Sequence, residues 1–453
     1  MSAVVDDAVV QELAGRVRGE LLRPHDAGYD SARLVWNGMV NHRPALIIRC
    51  AGVADVMAAV NFGRQQELLV SVRGGGHNVA GKAVCDGGLM IDLSPMNSID
   101  VDPTRRTARA AGGALLGALD HETQAFGLAT TAGIVPSTGV AGLTLGGGVG
   151  RLARKYGLAC DNLLSVDLVT ADGQFLRASP SENADLFWGV RGGGGNFGVV
   201  TALEFQLHPI GPMVLGGPVV YSWDRARDAL KFYDEFARTA PDELSADPIL
   251  MTSPDGDRVL AISICYIGSI EDGERVLQPL REFGPPVADL IAPTPYVELQ
   301  AAAEAAFPTG LRYYWKSHFL TEIGPETIEA VLSHFVTAPS PRAMVAFQQY
   351  GGAVSRVGRT DTAFWPRDAQ YDFIPVSIWT DPAESDKHID WVRRLWDAVK
   401  PSARGVYVNN LGEEGEDQVH LAYGDNYRRL AALKAKYDPS NFFRLNSNIT
   451  PTA

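Results

Sequence analysis

The chain contains 453 residues, of which 46% are hydrophobic and 21% are charged, and it has a formal net charge of −13. This length exceeds one ordinary hydrophobic core and predicts two or three folded units of a globular protein. The acidic balance argues against nucleic acid or an anionic membrane surface as a partner, because both would repel the chain.

The N-terminus predicts where the protein is located, and the spacing of the cysteines argues against a disulfide framework and a metal site. The N-terminus lacks the basic and apolar regions of a secretory signal, and no apolar run reaches the length of a membrane span. Four cysteines, Cys50, Cys85, Cys160 and Cys265, are too dispersed for a disulfide framework or a C-x-x-C metal site. We therefore expect a cytoplasmic, soluble protein with no metal ion.

In chain order, the sequence opens with a predicted helix and a small α/β unit. Apolar residues at helical spacing predict a helix over residues 6–23. Residues 44–62 have the pattern of a strand followed by a helix.

A glycine-rich loop follows this unit. Two short apolar runs, at 68–72 and 88–93, predict buried strands on either side of it. Its three consecutive glycines, at 74–76, carry no Cβ and can direct several backbone N–H groups at one anion, such as a pyrophosphate. His77 ends the run, and on this loop alone it is either a ligand-contacting residue or a solvated turn histidine.

The next segment predicts short strands and one helix. Turn residues join short strands over 91–111, and residues 115–126 predict a helix that carries His121. No neighbouring residue completes an acid–base pair with His121, so we expect it to be a surface or packing residue.

Two further glycine clusters lie at residues 139–150 and 189–198. The second contains a G-x-G-x-x-G spacing, which indicates a dinucleotide fold only where a strand precedes it and a helix follows. Residues 199–207 instead alternate like a strand, so we reject a Rossmann fold. These loops also lack the G-K-[ST] sequence of a P-loop.

Beyond residue 209 the glycine loops stop. Strand-like segments such as 259–267 alternate with predicted helices at 225–237 and 328–338, which indicates an antiparallel sheet backed by helices. A helix is then predicted over 423–437, before Asp438 and Pro439.

Four stretches, in this order, resemble the berberine bridge enzyme branch of the FAD-linked oxidases, whose FAD domain is shared with vanillyl-alcohol oxidase. They are residues 71–83, 127–173, 185–209 and 423–449. The resemblance implies an α+β fold with a FAD-binding domain of two α/β subdomains at 1–209 and a substrate-binding domain at 210–404. Residues 405–453 would return to the FAD domain.

The resemblance also implies FAD as the cofactor, joined covalently through His77 to the 8α carbon of the flavin. Many relatives have a second link through a cysteine that precedes a proline, but here Val135 precedes Pro136, so we expect a single link that Cys160 does not supplement. Thr138 falls where the family places a small side chain that controls oxygen access, and the alternative is that it is only a turn residue before Gly139. The other residues expected to contact the cofactor are Arg73, Gly74, Gly75, Gly76, Asn78, Gly81, Pro136, Gly139, Gly142, Gly146, Gly148, Gly198, Val199, Asn446 and Asn448.

Two segments carry the residues that we expect to contact the substrate. If residues 312–320 are extended, Tyr314, Lys316 and His318 share one face, which is either a substrate wall or an exposed sheet face. In many relatives a tyrosine that takes the substrate proton occupies the position of Asn410, and an asparagine is no base near neutral pH.

Residues 405–414 read as a strand on which Tyr407 has the opposite parity to Asn410, so Tyr407 is predicted to face away. We expect Asn410 to orient the substrate and Lys316 or His318 to tune its protonation, with Tyr314 beside them.

The resemblance therefore implies a covalent flavoprotein oxidase, of secondary or alkaloid-like metabolism, that oxidises a small alcohol or amine and reduces O2 to hydrogen peroxide. A carbohydrate oxidase is an alternative, which the missing cysteine disfavours because such relatives usually carry both links. A dehydrogenase or a redox-neutral flavoprotein is another alternative. The expected partners are a small-molecule substrate and O2, and the expected state is a monomer or homodimer.

Overall fold

The computed structural model of the protein describes residues 6–412 and 415–452. None of the described helices is both long enough and apolar enough to cross a membrane. Within these ranges the chain forms sheets of four, five, two and nine strands. The elements before residue 130 are, in chain order, α1 (Asp7–Ala14), β1 (Glu20–Leu22), α2 (Tyr29–Ala32), β2 (Leu46–Arg49), α3 (Val53–Gln65), β3 (Val70–Arg73), β4 (Leu89–Asp92), β5 (Ile99–Asp102), β6 (Thr107–Ala111), α4 (Leu116–Gln124) and β7 (Leu128–Ala129).

The four-stranded sheet has the order β1-β2-β4-β3, and β4 pairs in parallel with both β2 and β3. Parallel strands need a crossover connection, which α3 provides between β2 and β3. Apolar residues of α3, including Val56 and Val60, pack with Ile48 and Ile91 in one buried cluster. This arrangement confirms the strand and helix predicted over 44–62.

The helix predicted over residues 6–23 is too long. It ends at Ala14, and the chain turns so that β1 can pair with β2. A Cβ on Gly19 would lie 2.0 Å from the carbonyl oxygen of Arg49, so this close backbone approach requires glycine.

The elements from residue 140 to 209 are α5 (Val140–Leu145), α6 (Ala153–Tyr156), β8 (Leu163–Val169), β9 (Phe175–Ala178), α7 (Ala184–Val190), β10 (Val199–Gln206) and β11 (His208–Pro209). The five-stranded sheet has the order β5-β6-β10-β8-β9, and all its pairs are antiparallel. Because β10 begins directly after Gly198, the rejection of a Rossmann turn at this glycine cluster is confirmed. The short strands β7 and β11 pair with each other in a separate two-stranded sheet.

The elements after residue 209 are β12 (Met213–Ser222), α8 (Ala226–Thr239), β13 (Leu244–Thr252), β14 (Arg258–Tyr266), α9 (Ile270–Glu282), β15 (Ala288–Asp289), β16 (Ala292–Pro295), α10 (Tyr296–Ala301), β17 (Arg312–Trp315), β18 (His318–Leu320), α11 (Pro325–Phe335), β19 (Met344–Gln349), α12 (Ala353–Arg356), β20 (Tyr371–Trp379), α13 (Ser385–Val399), α14 (Glu416–Tyr423) and α15 (Tyr427–Tyr437).

The nine-stranded sheet is antiparallel and contains β12 to β20. Its central order is β14-β13-β19-β20-β17. One face packs against α8, α9, α11 and α13 through buried residues such as Leu250, Phe347 and Phe373. The predicted antiparallel sheet backed by helices is therefore confirmed.

The C-terminal segment packs against the loop before β10. The single helix predicted over 423–437 is wrong in one respect, because α14 ends at its first residue, a 3₁₀ turn follows over Gly424–Asn426, and α15 covers only Tyr427–Tyr437. Lys434 of α15 is fully buried, and its Nζ donates to the carbonyl oxygens of Asn196 at 2.8 Å and Phe443 at 2.9 Å and to Asp438 Oδ2 at 2.6 Å. With three acceptors this buried cation is fully hydrogen-bonded and fixes the segment in place.

Candidate active site

A cavity with a volume of about 440 Å³ lies between the glycine loops and the face of the nine-stranded sheet that α8, α9, α11 and α13 leave uncovered. The C-terminal segment closes it with residues that include Phe443 and Asn446. Because strand side chains alternate, every second residue of four neighbouring strands reaches the cavity. These residues are Asp247 and Ile249 of β13, Met344, Ala346 and Gln348 of β19, Ile374 and Val376 of β20, and Trp315 of β17.

The glycine loops after β3 and before α5 meet at the wall of the cavity. A Cβ on Gly75 would lie 2.3 Å from the backbone nitrogen of Gly139, and a Cβ on Gly139 would lie 2.4 Å from that of Gly75. Any side chain at either position would force the loops apart. Gly74, Gly75, Gly76 and Gly139 all line the cavity, where their bare backbones can approach phosphate groups closely.

His77 lines the same cavity, and its ring stacks on Trp36 with centroids 4.1 Å apart. Burial lowers the pKa of His77 to about 4, so its imidazole is neutral near neutral pH. The Nε2 atom is buried and has no hydrogen-bond partner among the described residues. A neutral, unpartnered ring nitrogen at the cavity wall fits the residue that the sequence predicts to hold the flavin.

Several other predicted cofactor residues also line the cavity: Asn78, Thr138, Gly142, Gly198 and Asn446. Asn448 lines a neighbouring, smaller cavity of about 140 Å³. The structure thus brings most of the predicted cofactor residues together around one space.

The remaining predicted cofactor residues do not line the large cavity. Arg73 donates to the carbonyl oxygen of Ala32, and Val199 is buried at the start of β10. A Cβ on Gly81 would lie 2.4 Å from the Val40 side chain. Pro136 packs against Gly117. These residues shape the surrounding loops, and their contact with the cofactor stays a prediction.

Gly146 and Gly148 support the opposite wall instead of the cofactor loops. A Cβ on Gly146 would lie 2.0 Å from Asn409 Oδ1. The backbone N–H of Gly148 donates to the hydroxyl oxygen of Tyr407 at 2.9 Å. Both glycines therefore position the segment 407–410, which lines the cavity.

Over the described part of this segment, residues 405–412, the strand predicted over 405–414 does not form. Residues Val408–Asn410 make a 3₁₀ turn, and Glu413 and Glu414 lie outside the described residues. Because the turn removes the alternation of a strand, Tyr407 and Asn410 both line the cavity, and the prediction that Tyr407 faces away is wrong. Burial raises the pKa of Tyr407, so its hydroxyl stays protonated near neutral pH.

Asn410 is held by a carboxyl group behind it. Its Nδ2 donates to Asp372 Oδ2 at 2.9 Å, and Asp372 is fully buried. Burial raises the pKa of Asp372 well above its usual range, which hydrogen bonds from Ser317 and Asn410 only partly offset. The bond fixes the orientation of the amide, and no described residue donates to its carbonyl oxygen, which can therefore accept a hydrogen bond from a ligand.

The structure places Tyr314, Lys316 and His318 outside the residues that line the cavity, in contrast to the predicted substrate wall. The three share one face, as predicted, but that face meets α13. Arg393 donates to the Tyr314 hydroxyl, the Lys316 ammonium lies 4.2 Å from the ring centroid of Trp396, and His318 stacks on the same ring. The alternating residue, Trp315, reaches the cavity.

Sequence reasoning missed Asp247, a carboxyl group on the cavity wall. Its Oδ1 accepts from the backbone nitrogen of Gln349 at 2.8 Å. Burial raises its pKa to about 6, an effect that the Gln349 hydrogen bond and the charges of Arg151 and Arg154 oppose. A single acidic residue in the mostly apolar strand β13 was the available signal, since such residues are rarely buried without a reason.

Comparison with known proteins assigns this arrangement to a class. Residues 44–179 match a family described as "FAD binding domain", and residues 406–450 match one described as "Berberine and berberine like". The protein is therefore a FAD-linked oxidoreductase with a fold of the vanillyl-alcohol oxidase type. The glycine cradle and the buried His77 fit that cofactor.

Within this class, the chain belongs to the berberine bridge enzyme-like family of FAD-dependent oxidases. It is 35% identical over 450 residues to (R)-6-hydroxynicotine oxidase of Paenarthrobacter nicotinovorans, with 96% of this chain and 97% of that protein covered. It is 34% identical to a FAD-linked oxidoreductase of Dictyostelium discoideum, with 98% and 97% covered.

Solved structures of related proteins agree with this family assignment. The crystal structure of 6-hydroxy-D-nicotine oxidase from Arthrobacter nicotinovorans matches with a TM-score of 0.89 and 32% identity, covering 96% of this chain and 98% of that chain. A chitooligosaccharide oxidase matches with a TM-score of 0.89 and 26% identity, covering 99% and 100%.

Proposed function

We propose that this protein is an oxidase that holds FAD through a single covalent bond to His77 and oxidises a C–H bond of a small amine or alcohol. Bound FAD supplies the two-electron chemistry, in which hydride leaves the substrate carbon and O2 is then reduced to hydrogen peroxide. The observation that carries the proposal is the buried, neutral and unpartnered Nε2 of His77 at the cavity wall.

A single link is supported by the residues around the second glycine loop. Val135 lines the cavity but has no group that can form a thioether. Cys160 is fully buried in the core beneath the loop, outside the residues that line the cavity, and burial raises the pKa of its thiol. It therefore cannot replace the missing cysteine.

The composition of the substrate wall favours an apolar substrate over a sugar. Ile249, Met344, Ala346, Ile374 and Val376 present aliphatic side chains on the sheet face of the cavity. A carbohydrate needs many hydrogen-bonding partners, because each buried hydroxyl without one costs free energy. The relative named as a chitooligosaccharide oxidase therefore suggests the fold and cofactor of this protein more than its substrate.

Residues of this chain would then orient the substrate. The Asn410 carbonyl oxygen, fixed by the bond to Asp372, can accept from a substrate O–H or N–H group. Tyr407 stays protonated and holds the 407–410 turn through Gly148. Thr138 lines the cavity at the position that would control access of oxygen.

The test is the state of the flavin in purified protein. We expect acid-precipitated protein to stay yellow and the proteolytic peptide that contains His77 to gain the mass of the flavin. His77→Ala should release all its flavin on denaturation, whereas His121→Ala, which alters an exposed histidine, should not. After photoreduction, admission of air should regenerate the oxidised spectrum with one equivalent of peroxide.

Two results would contradict the proposal. A colourless pellet with all FAD in the supernatant would exclude the covalent link. A photoreduced flavin that is stable in air would exclude the oxidase and favour a dehydrogenase or a redox-neutral enzyme.

A further inference from the structure

Asp247 is an acidic group on the apolar substrate wall of the cavity. It lies on β13, two residues from Ile249, and its strand neighbour β19 contributes Ala346 and Gln348 to the same wall. Only 8% of its surface is exposed. An acidic side chain is rarely buried in such surroundings unless a partner neutralises it.

The described residues satisfy only one of the two carboxyl oxygens of Asp247 with a hydrogen bond. Asp247 Oδ1 accepts the backbone N–H of Gln349, whereas Oδ2 has no hydrogen bond to any described residue. The charges of Arg151 and Arg154 act on Asp247, yet neither residue forms an ion pair with it. The titratable groups that its charge reaches are Tyr233, Tyr350 and Cys265. Arg151 donates to Ser263 and the Leu299 carbonyl, and Arg154 bonds to the carbonyl oxygens of Leu244, Tyr350, Ala240 and Pro241.

We infer that Asp247 binds the ammonium group of the substrate, which makes the substrate a small cationic amine with an apolar body. An ammonium donates charge-assisted hydrogen bonds to a carboxylate, and Oδ2 is the acceptor left for one. Trp315 and Phe307, which line the same cavity, offer aromatic surface to the apolar part. The inference rests on the proposed oxidase and chooses amines over alcohols. It assigns recognition to Asp247 and no part of the hydride transfer.

The experiment compares two probes of the same shape. N-methylbenzylamine is protonated near neutral pH, and benzyl methyl ether has an oxygen in place of its nitrogen and no charge. Dissociation constants are measured on the anaerobic holoenzyme from the change in the visible flavin spectrum. We expect the wild-type protein to bind the amine about 10- to 100-fold more tightly than the ether, the range of a hydrogen bond to a charged group.

Asp247→Asn should abolish this preference. Asparagine keeps the size of the side chain and an oxygen that can accept from Gln349, so the fold is retained. Asp257→Asn is the matched control, because it removes the same charge from the exposed turn between β13 and β14. It should leave the preference unchanged.

A pH series provides a second readout that needs no variant. Because the pKa of Asp247 is about 6, its carboxylate becomes protonated below that pH, while the amine stays charged. Amine affinity should therefore fall as the pH drops through about 6, and ether affinity should not change.

Equal affinity for the two probes overturns the inference, and so does no spectral change with either at the highest soluble concentration. An Asp247→Asn variant that keeps the preference overturns it as well. The FAD content and the reaction of the photoreduced enzyme with air are measured in the same preparations. If both are normal while the amine preference is absent, only this inference fails; if FAD or oxygen reactivity is missing, the proposed function fails.

Discussion

Removing the hydroxyl group of Tyr407 tests whether this group stabilises the segment 407–410 or acts in catalysis. In Tyr407→Phe, two donors lose their shared acceptor: the backbone N–H of Gly148 and Nδ2 of Asn409, at 2.9 and 2.8 Å. Nδ2 of Asn409 also donates to the Leu143 carbonyl, so it keeps a partner. The buried N–H of Gly148 does not. One unsatisfied buried donor costs about 1–3 kcal/mol, which we expect as the loss in the free energy of unfolding.

Denaturant titration of the holoenzyme measures that loss. Tyr350→Phe is the control, because the Tyr350 hydroxyl is buried without a hydrogen-bond partner among the described residues and its removal should cost little. Since Tyr407 is protonated near neutral pH, Tyr407→Phe should slow anaerobic flavin reduction by less than about tenfold, or about 1.4 kcal/mol of barrier. The pH profile should not change.

A different pattern would refute this reasoning. If Tyr407→Phe keeps the stability of the parent but reduces the flavin more than about a thousandfold more slowly, with one limb of the pH profile lost, then Tyr407 is a general base.

Four other substitutions test the burial of Asp120, the glycine loops at the cavity, and the strand face that carries Lys316 and His318. Burial raises the pKa of Asp120 to about 7 from about 3.9 in the unfolded chain, so the free energy of unfolding should fall by up to about 4 kcal/mol as the pH rises from about 4 to about 7. Asp120→Asn should flatten that dependence in denaturant titrations across pH, and an unchanged slope would contradict the assignment. Gly75→Ala should lower the FAD content, measured by absorbance per protein, because its Cβ would lie 2.3 Å from the nitrogen of Gly139; full FAD occupancy would show that the loops tolerate separation. Lys316→Met and His318→Ala should reduce flavin within about threefold of the parent rate in anaerobic stopped flow, because both side chains face α13, and a larger loss in either would support a role in catalysis.

Features encoded locally were predictable from the sequence. The run Gly74, Gly75, Gly76 and His77 predicts a loop with a bare backbone followed by one imidazole side chain, and the structure places all four on the cavity. The strand after Gly198 was equally readable, because its alternation spans eight residues, Val199–Gln206.

Features that depend on distant partners were not predictable. Alternation showed that Tyr314, Lys316 and His318 share a face, but only the packing of Trp396 shows which face is covered by a helix. The turn at Val408–Asn410 replaces a predicted strand where Tyr407 is bonded to Gly148, a residue far away in the sequence.

The same limit explains the most informative omission among the cavity residues. Asp247 carries no motif, and its role depends on which neighbours its carboxyl group contacts. Its partner Gln349 lies on β19, about a hundred residues later in the chain. A sequence pattern reports spacing within one element, whereas this site is defined between elements.

The position of the C-terminal segment has a consequence for how the enzyme acquires its cofactor. Phe443, Leu445, Asn446 and Ser447 form part of the cavity wall, and Lys434 ties this segment to the loop before β10. The glycine loops leave the ribosome long before these residues are synthesised. During translation the nascent chain therefore contains the glycine loops before it contains the C-terminal residues that complete the cavity wall. The complete cavity wall can therefore form only after the chain has been synthesised through these residues and has folded back onto the glycine loops.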